Sequence, residues 1–380
     1  MKKNHLIKKY KICTAVGTRP EIIRLSVIIK KFDQEFSHTL IHTGQNFDKE
    51  LSEIFFKDLN LKPPKYQINS FSGSPIPTIA KAMVEMDKIL EKIKPDAFFI
   101  LGDTNSALTS ICAKKRKIPI FHYEAGNRSF DQRVPEEINR KIVDSISDIN
   151  LTYSHLSKLN LLNEGLDSDK IINVGSPMLE VLRRYEKKIS ESKILDKLNI
   201  QKNNFFLVST HREENIEDKN KLKNIIDIIK HLSENYRLPI IISTHPRLRR
   251  KLKTFNNKNV ILHKPFSFTD YVKLQQNSKI ILSDSGTINE EASILKLNAI
   301  NLRETHERPE AIEKAATIMT GVNLRNVINA IRFFENNSLI NKQKKIVASY
   351  SRDNVSDVVV KIIISFINYV KQNNYKENIL

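Results

Sequence analysis

Glycine is scarce in this sequence, and its spacing excludes two common phosphate-binding motifs. The chain has 380 residues and nine glycines, and the closest pair is Gly165 and Gly175. The dinucleotide fingerprint and the P-loop both need closely spaced glycines, which bring the backbone against phosphate. Neither motif occurs here, so an NAD-dependent dehydrogenase and a P-loop kinase or ATPase are disfavoured.

Cysteine and long apolar runs are scarce as well. Cys13 and Cys112 lie far apart, which favours neither a disulfide framework nor a metal-binding pair, and a reducing cytoplasm is expected. The longest apolar stretch, residues 362–370, lies between two lysines and is shorter than a bilayer span. With no signal-peptide pattern at the N-terminus, we expect a soluble cytoplasmic protein without membrane insertion.

The formal charge of +19 is the most extreme compositional feature. A basic stripe that neutralises phosphates would indicate a nucleic-acid-binding protein. The lysines are instead scattered through nearly every predicted helix, and the sequence has no zinc finger and no aromatic-basic RNA-binding signature. We therefore do not expect nucleic acid as the main partner, and a small anionic substrate needs only a few of these cations.

Short apolar runs alternate with helical patterns along both halves of the chain, which is typical of parallel sheets. In the first half the predicted strands are residues 12–16, 39–42, 97–101, 118–121, 149–152 and 171–174. In the second half they are residues 205–209, 239–243, 260–262, 280–283 and 299–302. This rhythm predicts an α/β protein with two Rossmann-like domains, residues 1–180 and 181–352. A C-terminal helix in residues 353–380 is expected to pack back on the first domain.

Ligands of open parallel sheets collect at the carboxyl ends of the strands, and charged residues follow the first predicted strands there. Arg19, in GTRPE at residues 17–21, can reach an anion, and Arg24 lies about one turn later. A tight turn with surface charges explains both arginines equally well. Asp103 follows a later strand, but beside the predicted helix cap Thr104 a structural role is its simpler explanation.

Two further segments of the first half favour a site. HYEAGNR at residues 122–128 puts Glu124 after the strand that is predicted to end at Phe121. In the helix that begins with PEEINR, Glu136, Arg140 and Asp144 are spaced by four residues and share one face. A row of salt bridges along the helix is the commoner meaning of that spacing, but its nearness to Glu124 favours a functional one.

The strand ends of the second half carry a histidine, a possible helix cap and arginines. His211, in THREEN, is suited to carry protons near neutral pH. Ser285 and Gly286 begin a helix whose backbone N–H groups can hold a diphosphate, and Thr287 with Glu290 can also form a capping box there. RETHERPE at 303–310 adds two arginines suited to phosphate oxygens. The histidines show no paired ligand spacing, so no metal is expected.

Eight of these segments, in this order, resemble the non-hydrolysing UDP-N-acetylglucosamine 2-epimerase family over roughly residues 12–321: GTRPE, GDT, HYEAGNR, PEEINR, VGSP, THREEN, SDSGTINEE and RETHERPE. The resemblance implies two Rossmann-like domains that face a central cleft, as in glycosyltransferases of the B type. It implies a UDP-linked N-acetylated amino sugar as substrate, no cofactor and a homodimer. Family members invert C2 by eliminating UDP to a 2-acetamidoglycal and adding it back.

The same resemblance implies roles for individual residues. It implies that the catalytic residues are Asp103, Glu124, Glu136 and His211. It implies that the substrate-binding residues are Arg19, Arg24, Arg140, Arg212, Ser285, Gly286, Glu291 and Arg308, with Glu291 placed to bond the ribose. It does not identify the carboxylate that takes the C2 proton.

Departures from the common family pattern concern the substrate. Arg24 stands where the family usually has lysine, Asn127 where it has leucine, and Thr287 where it has a second glycine. Together with the segment FDQRV at 130–134, they resemble the branch that makes UDP-N-acetyl-L-fucosamine from UDP-2-acetamido-2,6-dideoxy-L-talose for capsules and O-antigens. The alternatives are the parent activity on UDP-N-acetylglucosamine, a glycosyltransferase, and a nucleotide-sugar or nucleic-acid binder without turnover.

Overall fold

The computed structural model describes residues 9–45, 49–131, 134–210, 212–244, 257–337 and 345–376, together with residues 249 and 252. The chain divides into two compact units. The first contains the chain up to Val181 and again from Arg352, and the second extends from Leu182 to Ser351.

The first unit is built on a parallel sheet. Its strands are β1 (Lys11–Val16), β2 (Ser37–His42), β3 (Tyr66–Gln67), β4 (Ala97–Leu101), β5 (Ile120–Ala125), β6 (Ile149–Thr152) and β7 (Ile171–Asn173). The spatial order is β3-β2-β1-β4-β5-β6-β7, so the direction of winding reverses between β1 and β4. Such a switch point opens a crevice at the carboxyl ends of the strands, where ligands bind in this class of sheet.

Helices connect these strands and cover both faces of the sheet. The helices of this part of the chain are α1 (Arg19–Glu35), α2 (Lys49–Asp58), α3 (Pro75–Ile93), α4 (Ser110–Lys115), α5 (Pro135–Ile146), α6 (His155–Asn163) and α7 (Met178–Arg184). The central strands are apolar throughout, and every residue of β4 is buried. Continuous apolar runs of this kind are expected where helices cover a parallel sheet on both sides.

The second unit repeats this architecture. Its strands are β8 (Phe206–Thr210), β9 (Ile240–Thr244), β10 (Val260–His263), β11 (Ile280–Ser283), β12 (Ala299–Asn301) and β13 (Ile318–Met319), in the order β10-β9-β8-β11-β12-β13. Its described helices are α8 (Glu186–Ser190), α9 (Ile194–Lys197), α10 (Glu213–Ile216), α11 (Lys219–Asn235), α12 (Phe268–Asn277), α13 (Ile288–Leu295), α14 (Pro309–Glu313) and α15 (Leu324–Asn336). The switch point lies between β8 and β11.

The last helix, α16 (Val355–Tyr375), belongs to the first unit and packs against α1. Polar contacts hold both of its ends. Near its beginning, the backbone N–H of Ser356 donates to Oε2 of Glu180 over 2.8 Å. Near its end, the Tyr375 hydroxyl donates to the buried carboxylate of Asp148 over 2.9 Å. Within the described part of the chain, no helix is long and apolar enough to cross a membrane.

The predicted α/β class with two Rossmann-like parallel sheets is confirmed, and each of the eleven predicted strands is present. The sequence patterns missed β3 and β13, which have two residues each and lie at sheet edges, where a strand has only one neighbour to pair with. One predicted boundary is wrong by four residues. β5 continues through Ala125 instead of ending at Phe121, so Glu124 lies inside the strand.

Candidate active site

The turn between β1 and α1 is organised by the carboxylate of Glu21. Its Oε2 accepts hydrogen bonds from the backbone N–H groups of Gly17 and Thr18, over 2.7 and 2.6 Å. Its Oε1 accepts from the hydroxyl of Thr104 over 2.7 Å, which ties this turn to the one that follows β4. Burial raises the pKa of Glu21, and these hydrogen bonds oppose the rise. The glutamate of GTRPE therefore joins two strand ends.

Polar residues that follow β2 also lie at this edge of the sheet, and the motifs did not single them out. The Oγ1 atom of Thr43 lies 2.7 Å from Oγ of Ser106, and the backbone N–H of Ser106 donates to Oε1 of Gln45 over 2.9 Å. These groups close tightly around Gly17, because a Cβ atom there would lie 2.0 Å from Ser106 Oγ. The rule that polar residues gather at strand ends would have found the segment TGQ at 43–45, since it directly follows the strand predicted at residues 39–42.

Two carboxylates and two guanidinium groups meet at the carboxyl ends of β4 and β5. Arg140 Nη2 forms an ion pair with Oδ2 of Asp103 and lies 3.4 Å from Oε1 of Glu124. Arg24 Nη1 forms an ion pair with the other carboxylate oxygen of Glu124. Arg24, Glu124 and Arg140 are buried, and Asp103 is the most exposed of the four, with 14% of its side chain accessible. We call these four residues the carboxylate cluster.

The backbone of Glu124 is strained. Its φ is +69°, in the left-handed region, and the register between β5 and β6 shifts between Tyr123 and Ala125. A non-glycine residue in this conformation costs about 1–3 kcal/mol, and such strain concentrates at functional sites. Bulges that redirect a side chain are also common beside active sites. The irregular end of β5 is therefore a local feature of the carboxylate cluster, and strand periodicity did not predict it.

The regular spacing on α5 does not produce a row of salt bridges. Arg140 reaches Asp103 and Glu124 on neighbouring strand ends. Asp144, one turn later, accepts from the buried guanidinium of Arg128 over 2.7 Å. Glu136 is half-buried and has no ion-pair partner among the residues that the structure describes. The interpretation as a helix-stabilising row was wrong, because the buried residues of this face pair with other elements.

Arg19 lies at the start of α1, where Pro20 takes an early helical position as predicted. Its guanidinium carbon is 5.8 Å from the centre of the Phe55 ring. The side chain is half-buried, and its contact with an anion stays a prediction. Thr104 caps the turn after β4, as its sequence position indicated, by accepting from the backbone N–H of Ser106.

In the second unit, the turns after β8 and β11 are joined by Asp284. The backbone N–H of Arg212 donates to Oδ2 of Asp284 over 3.2 Å, and Asn215 Nδ2 donates to the same oxygen over 3.1 Å. Arg212 Nε also donates to the carbonyl oxygen of Asp284 over 3.2 Å. His211, the predicted proton carrier of this segment, lies outside the described residues.

Gly286 lies between two guanidinium groups at the start of α13. A Cβ atom at this position would lie 3.7 Å from Nη2 of Arg212 and 3.9 Å from Nη1 of Arg303. The Oγ atom of Ser285 is 2.9 Å from Oγ1 of Thr287, in the same turn. A helix start with nearby guanidinium groups is a ready anion-binding site.

The capping box that the sequence permitted at this turn is absent. The Thr287 side chain makes no capping hydrogen bond to α13, because its backbone already has helical angles and its hydroxyl bonds to Ser285 instead. The carboxylate of Glu290 faces Arg308, whose Nη2 lies 3.6 Å from Glu290 Oε2. Both of these side chains are buried.

Glu291, the residue expected near the ribose, is buried on the first turn of α13. Its Oε2 accepts a hydrogen bond over 2.6 Å from Nε2 of Gln275, which is buried on α12. The position of the Glu291 carboxylate is therefore fixed by a neighbouring helix, a contact that the sequence pattern did not reveal.

Two parallel sheets of this order place the chain in the class of α/β proteins with two Rossmann-like domains. The family model described as UDP-N-acetylglucosamine 2-epimerase matches residues 30–364 of this chain. The chain belongs to this family, whose named relatives are 2-epimerases and therefore isomerases.

Three relatives illustrate the similarity. The solved structure of a UDP-N-acetylglucosamine 2-epimerase from Rickettsia bellii has a TM-score of 0.90 and 42% identity, and the match covers 97% of this chain and all of that one. A UDP-N-acetylglucosamine 2-epimerase of Methanocaldococcus jannaschii is 37% identical, with 93% of this chain and 98% of the relative covered. A UDP-2,3-diacetamido-2,3-dideoxy-D-glucuronate 2-epimerase of Pseudomonas aeruginosa is 32% identical, with 85% and 91% covered.

Proposed function

We propose that this protein is a UDP-2-acetamido-2,6-dideoxy-L-talose 2-epimerase that makes UDP-N-acetyl-L-fucosamine for capsule or O-antigen synthesis in the cytoplasm. The observation that carries an epimerase activity is the carboxylate cluster, in which Asp103 and Glu124 lie beside Arg24 and Arg140 at two adjacent strand ends. Epimerisation without redox chemistry needs groups that accept and return a proton, and carboxylates fixed at a switch point meet that need.

The proposed reaction begins with elimination. A base takes the proton from C2 of the sugar, the C2–H electrons form the C1=C2 double bond, and the C1–O bond breaks with its electrons leaving on UDP. A proton is then delivered to the opposite face of C2, and UDP adds back at C1. In this scheme Asp103, Glu124 and Glu136 act on the sugar, joined by His211. Glu124 lies between the guanidinium groups of Arg24 and Arg140.

The leaving diphosphate needs a cationic environment, and the second unit offers one. We assign UDP to Arg212, Ser285, Gly286 and Arg308, with Glu291 on the ribose, because the helix start and the guanidinium groups around Gly286 suit phosphate oxygens. Arg19 is assigned to the substrate by motif match. Stabilisation of charge that develops in the transition state is generally a large part of such catalysis.

Three departures from the common family pattern support the 6-deoxy-L-sugar as substrate. Arg24 is an ion-pair partner of Glu124, so its replacement of lysine changes the carboxylate cluster itself. Asn127 is buried at the end of β5, and its Oδ1 accepts from the Ser157 hydroxyl over 2.6 Å. Thr287 bonds Ser285 in the turn assigned to the diphosphate. Of the fourth departure, FDQRV, residues 132–133 lie outside the described part of the chain.

The parent activity is the second candidate, since the relatives from M. jannaschii and R. bellii are named UDP-N-acetylglucosamine 2-epimerases. Proton NMR of the purified protein in D2O separates the two. We expect turnover of UDP-2-acetamido-2,6-dideoxy-L-talose, with deuterium appearing at C2, and none of UDP-N-acetylglucosamine. Turnover of the glucosamine derivative alone would return the protein to the parent activity. Absence of exchange with both sugars would contradict an epimerase of either kind.

A further inference from the structure

His122 is not part of the carboxylate cluster, but it contacts two segments that carry cluster residues: the turn after β4 and helix α5. On one side, its Nε2 lies 2.8 Å from the carbonyl oxygen of Gly102, the residue before Asp103. On the other side, its Nδ1 lies 2.9 Å from Oδ1 of Asp144 on α5. The side chains of His122 and Asp144 are fully buried, so solvent does not compete for these contacts. One imidazole therefore joins the end of β4 to α5.

Asp144 extends the connection to the end of β5. Its carboxylate oxygens lie 3.3 Å from the backbone N–H of Gly126, two residues after the strained Glu124. Burial raises the pKa of Asp144, but His122 and Arg128 outweigh that effect, and the pKa stays below its ordinary value. Asp144 is therefore an anion that holds the irregular end of β5 from the side of α5.

These contacts form a closed series that includes cluster residues: His122 contacts Gly102 and Asp144, and Arg140, on the same helix as Asp144, contacts Asp103. Arg140, one turn before Asp144 on the same helix, pairs with Asp103 and lies near Glu124. Gly102 has a φ of +69°, and a glycine backbone is free to take several conformations unless something fixes it. His122 holds its carbonyl oxygen, next to two other contacts of this segment: the Gly102 N–H donates to the Tyr123 carbonyl over 2.8 Å, and Asn139 Nδ2 donates to the Asp103 carbonyl over 3.0 Å.

We propose that His122 and Asp144 are positioning residues that hold Asp103 and Glu124 at their working separation. The proposal rests on the proposed epimerase function. Both side chains are fully buried, and their effect is transmitted through Gly102, Gly126 and α5. A displacement of about 1 Å in a reacting group reduces turnover by about 10²-fold.

The amide variants H122Q and H122N separate the two contacts. Glutamine extends its amide towards the place of Nε2, and so keeps a donor for the Gly102 carbonyl, whereas asparagine reaches only the place of Nδ1. We expect H122N to lower kcat by about 10²-fold with KM changed less than about threefold, and H122Q to lower kcat by about 10-fold or less. D144N keeps the contact of His122 with the Gly102 carbonyl, so its kcat should resemble that of H122Q.

His38 supplies a matched control in the same sheet. Its side chain is 1% exposed, with Nδ1 2.7 Å from Asp33 and Nε2 2.9 Å from the Thr14 hydroxyl, but it lies at the beginning of β2 instead of at a carboxyl end. H38Q and H38N should lower Tm about as much as the His122 variants. Their kcat per folded molecule should stay at the wild-type level.

Crystal structures of wild type and H122N give a readout that does not depend on turnover. We expect the Asp103 carboxylate in H122N to lie away from Arg140. An unmoved Asp103, or a kcat loss no larger than in the His38 variants, would overturn the positioning role. If wild type turns over neither UDP-sugar, the proposed function fails, while the position of Asp103 in H122N still decides this inference.

Discussion

The two units share the order of six strands, to which the first unit adds β7, and they differ in how a turn beside the switch point is filled, after β1 in the first unit and after β11 in the second. In the first unit, the N–H groups at the start of α1 are occupied by the protein's own Glu21, and Gly17 is enclosed by Thr43 and Ser106. In the second unit, the start of α13 has Gly286 beside two guanidinium groups. One turn is filled with protein side chains, whereas the other leaves space at Gly286, beside guanidinium groups that also face Glu307 Oε1.

The sheet determines where in each unit a functional site can lie, and the loops determine which side chains are placed there. In the first unit, the carboxylates of Asp103 and Glu124 lie at neighbouring strand ends and pair with arginines. The second unit gathers arginines, with carboxylates such as Asp284 and Glu291 engaged by neighbouring groups. Under the proposed function, this difference corresponds to a division between proton transfer and diphosphate binding.

The largest effect is expected from E124Q. Removal of a proton-accepting carboxylate should lower kcat by about 10²–10⁴-fold, whereas the Kd for UDP, which we assign to the second unit, should change less than about twofold. Because Arg24 and Arg140 lose a charged partner, the free energy of unfolding should also fall, on the order of 3 kcal/mol. Stopped assays at a temperature where the variant is folded measure kcat, and calorimetry measures UDP binding.

E180Q is the control for that substitution, since Glu180 is a half-buried carboxylate bound to Ser356 on the last helix. It should reduce stability and leave kcat near the wild-type value. Equal kcat losses in E124Q and E180Q would remove the functional distinction between the cluster and an ordinary buried carboxylate.

A smaller effect should separate the two turns directly. G17A places a methyl group 2.0 Å from Ser106 Oγ and 2.4 Å from Thr43 Oγ1, so the free energy of unfolding should fall by about 1–3 kcal/mol. G286A meets its nearest neighbours only at 3.7 Å, and should leave stability within about 0.5 kcal/mol of wild type while weakening UDP binding. Urea unfolding and UDP titration of both variants make the measurement.

The reverse pattern, with a stable G17A and an unfolded G286A, would contradict the description of a filled and an open turn. G165A is a control for the stability loss in G17A. Gly165 has a φ of +86° and open space around its Cβ position, so its substitution measures the cost of backbone strain without steric crowding.

The smallest effect concerns the acid side of stability in the first unit. Burial lowers the pKa of His42 from 6.5 to about 4, and its Nδ1 accepts from the backbone N–H of Gly44. The neutral form is the one that fits the fold, so its stabilisation is complete above pH 6.5 and is lost as pH falls through about 4. In urea unfolding between pH 7.5 and 4.5, H42Q should lose less stability than wild type.

H155Q, at an exposed position on α6, should keep the wild-type pH dependence. If H42Q and wild type lose stability in parallel, His42 is not a source of acid sensitivity.

Prediction from sequence succeeded where a single local property decides the outcome. Apolar runs located β4, β6 and β11 to the residue, and the positions of Pro20 and Thr104 at helix starts followed from their backbone preferences. It failed where partners come from distant segments. The spacing on α5 placed Glu136, Arg140 and Asp144 on one face, but it did not identify Asp103, 37 positions before Arg140 in the chain, as the partner of that arginine.

The sequence alone determined the α/β class, the two sheets and the segments that follow the strands, because apolar periodicity and turn preferences act over a few residues. Its motifs also determined the family, which the match over residues 30–364 confirms. Only the tertiary structure decided that Glu21 fills the first turn, that Glu124 lies inside a bulged strand, and that His122 joins β4 to α5. Those outcomes depend on burial and on contacts between residues far apart in the chain, which local patterns do not encode.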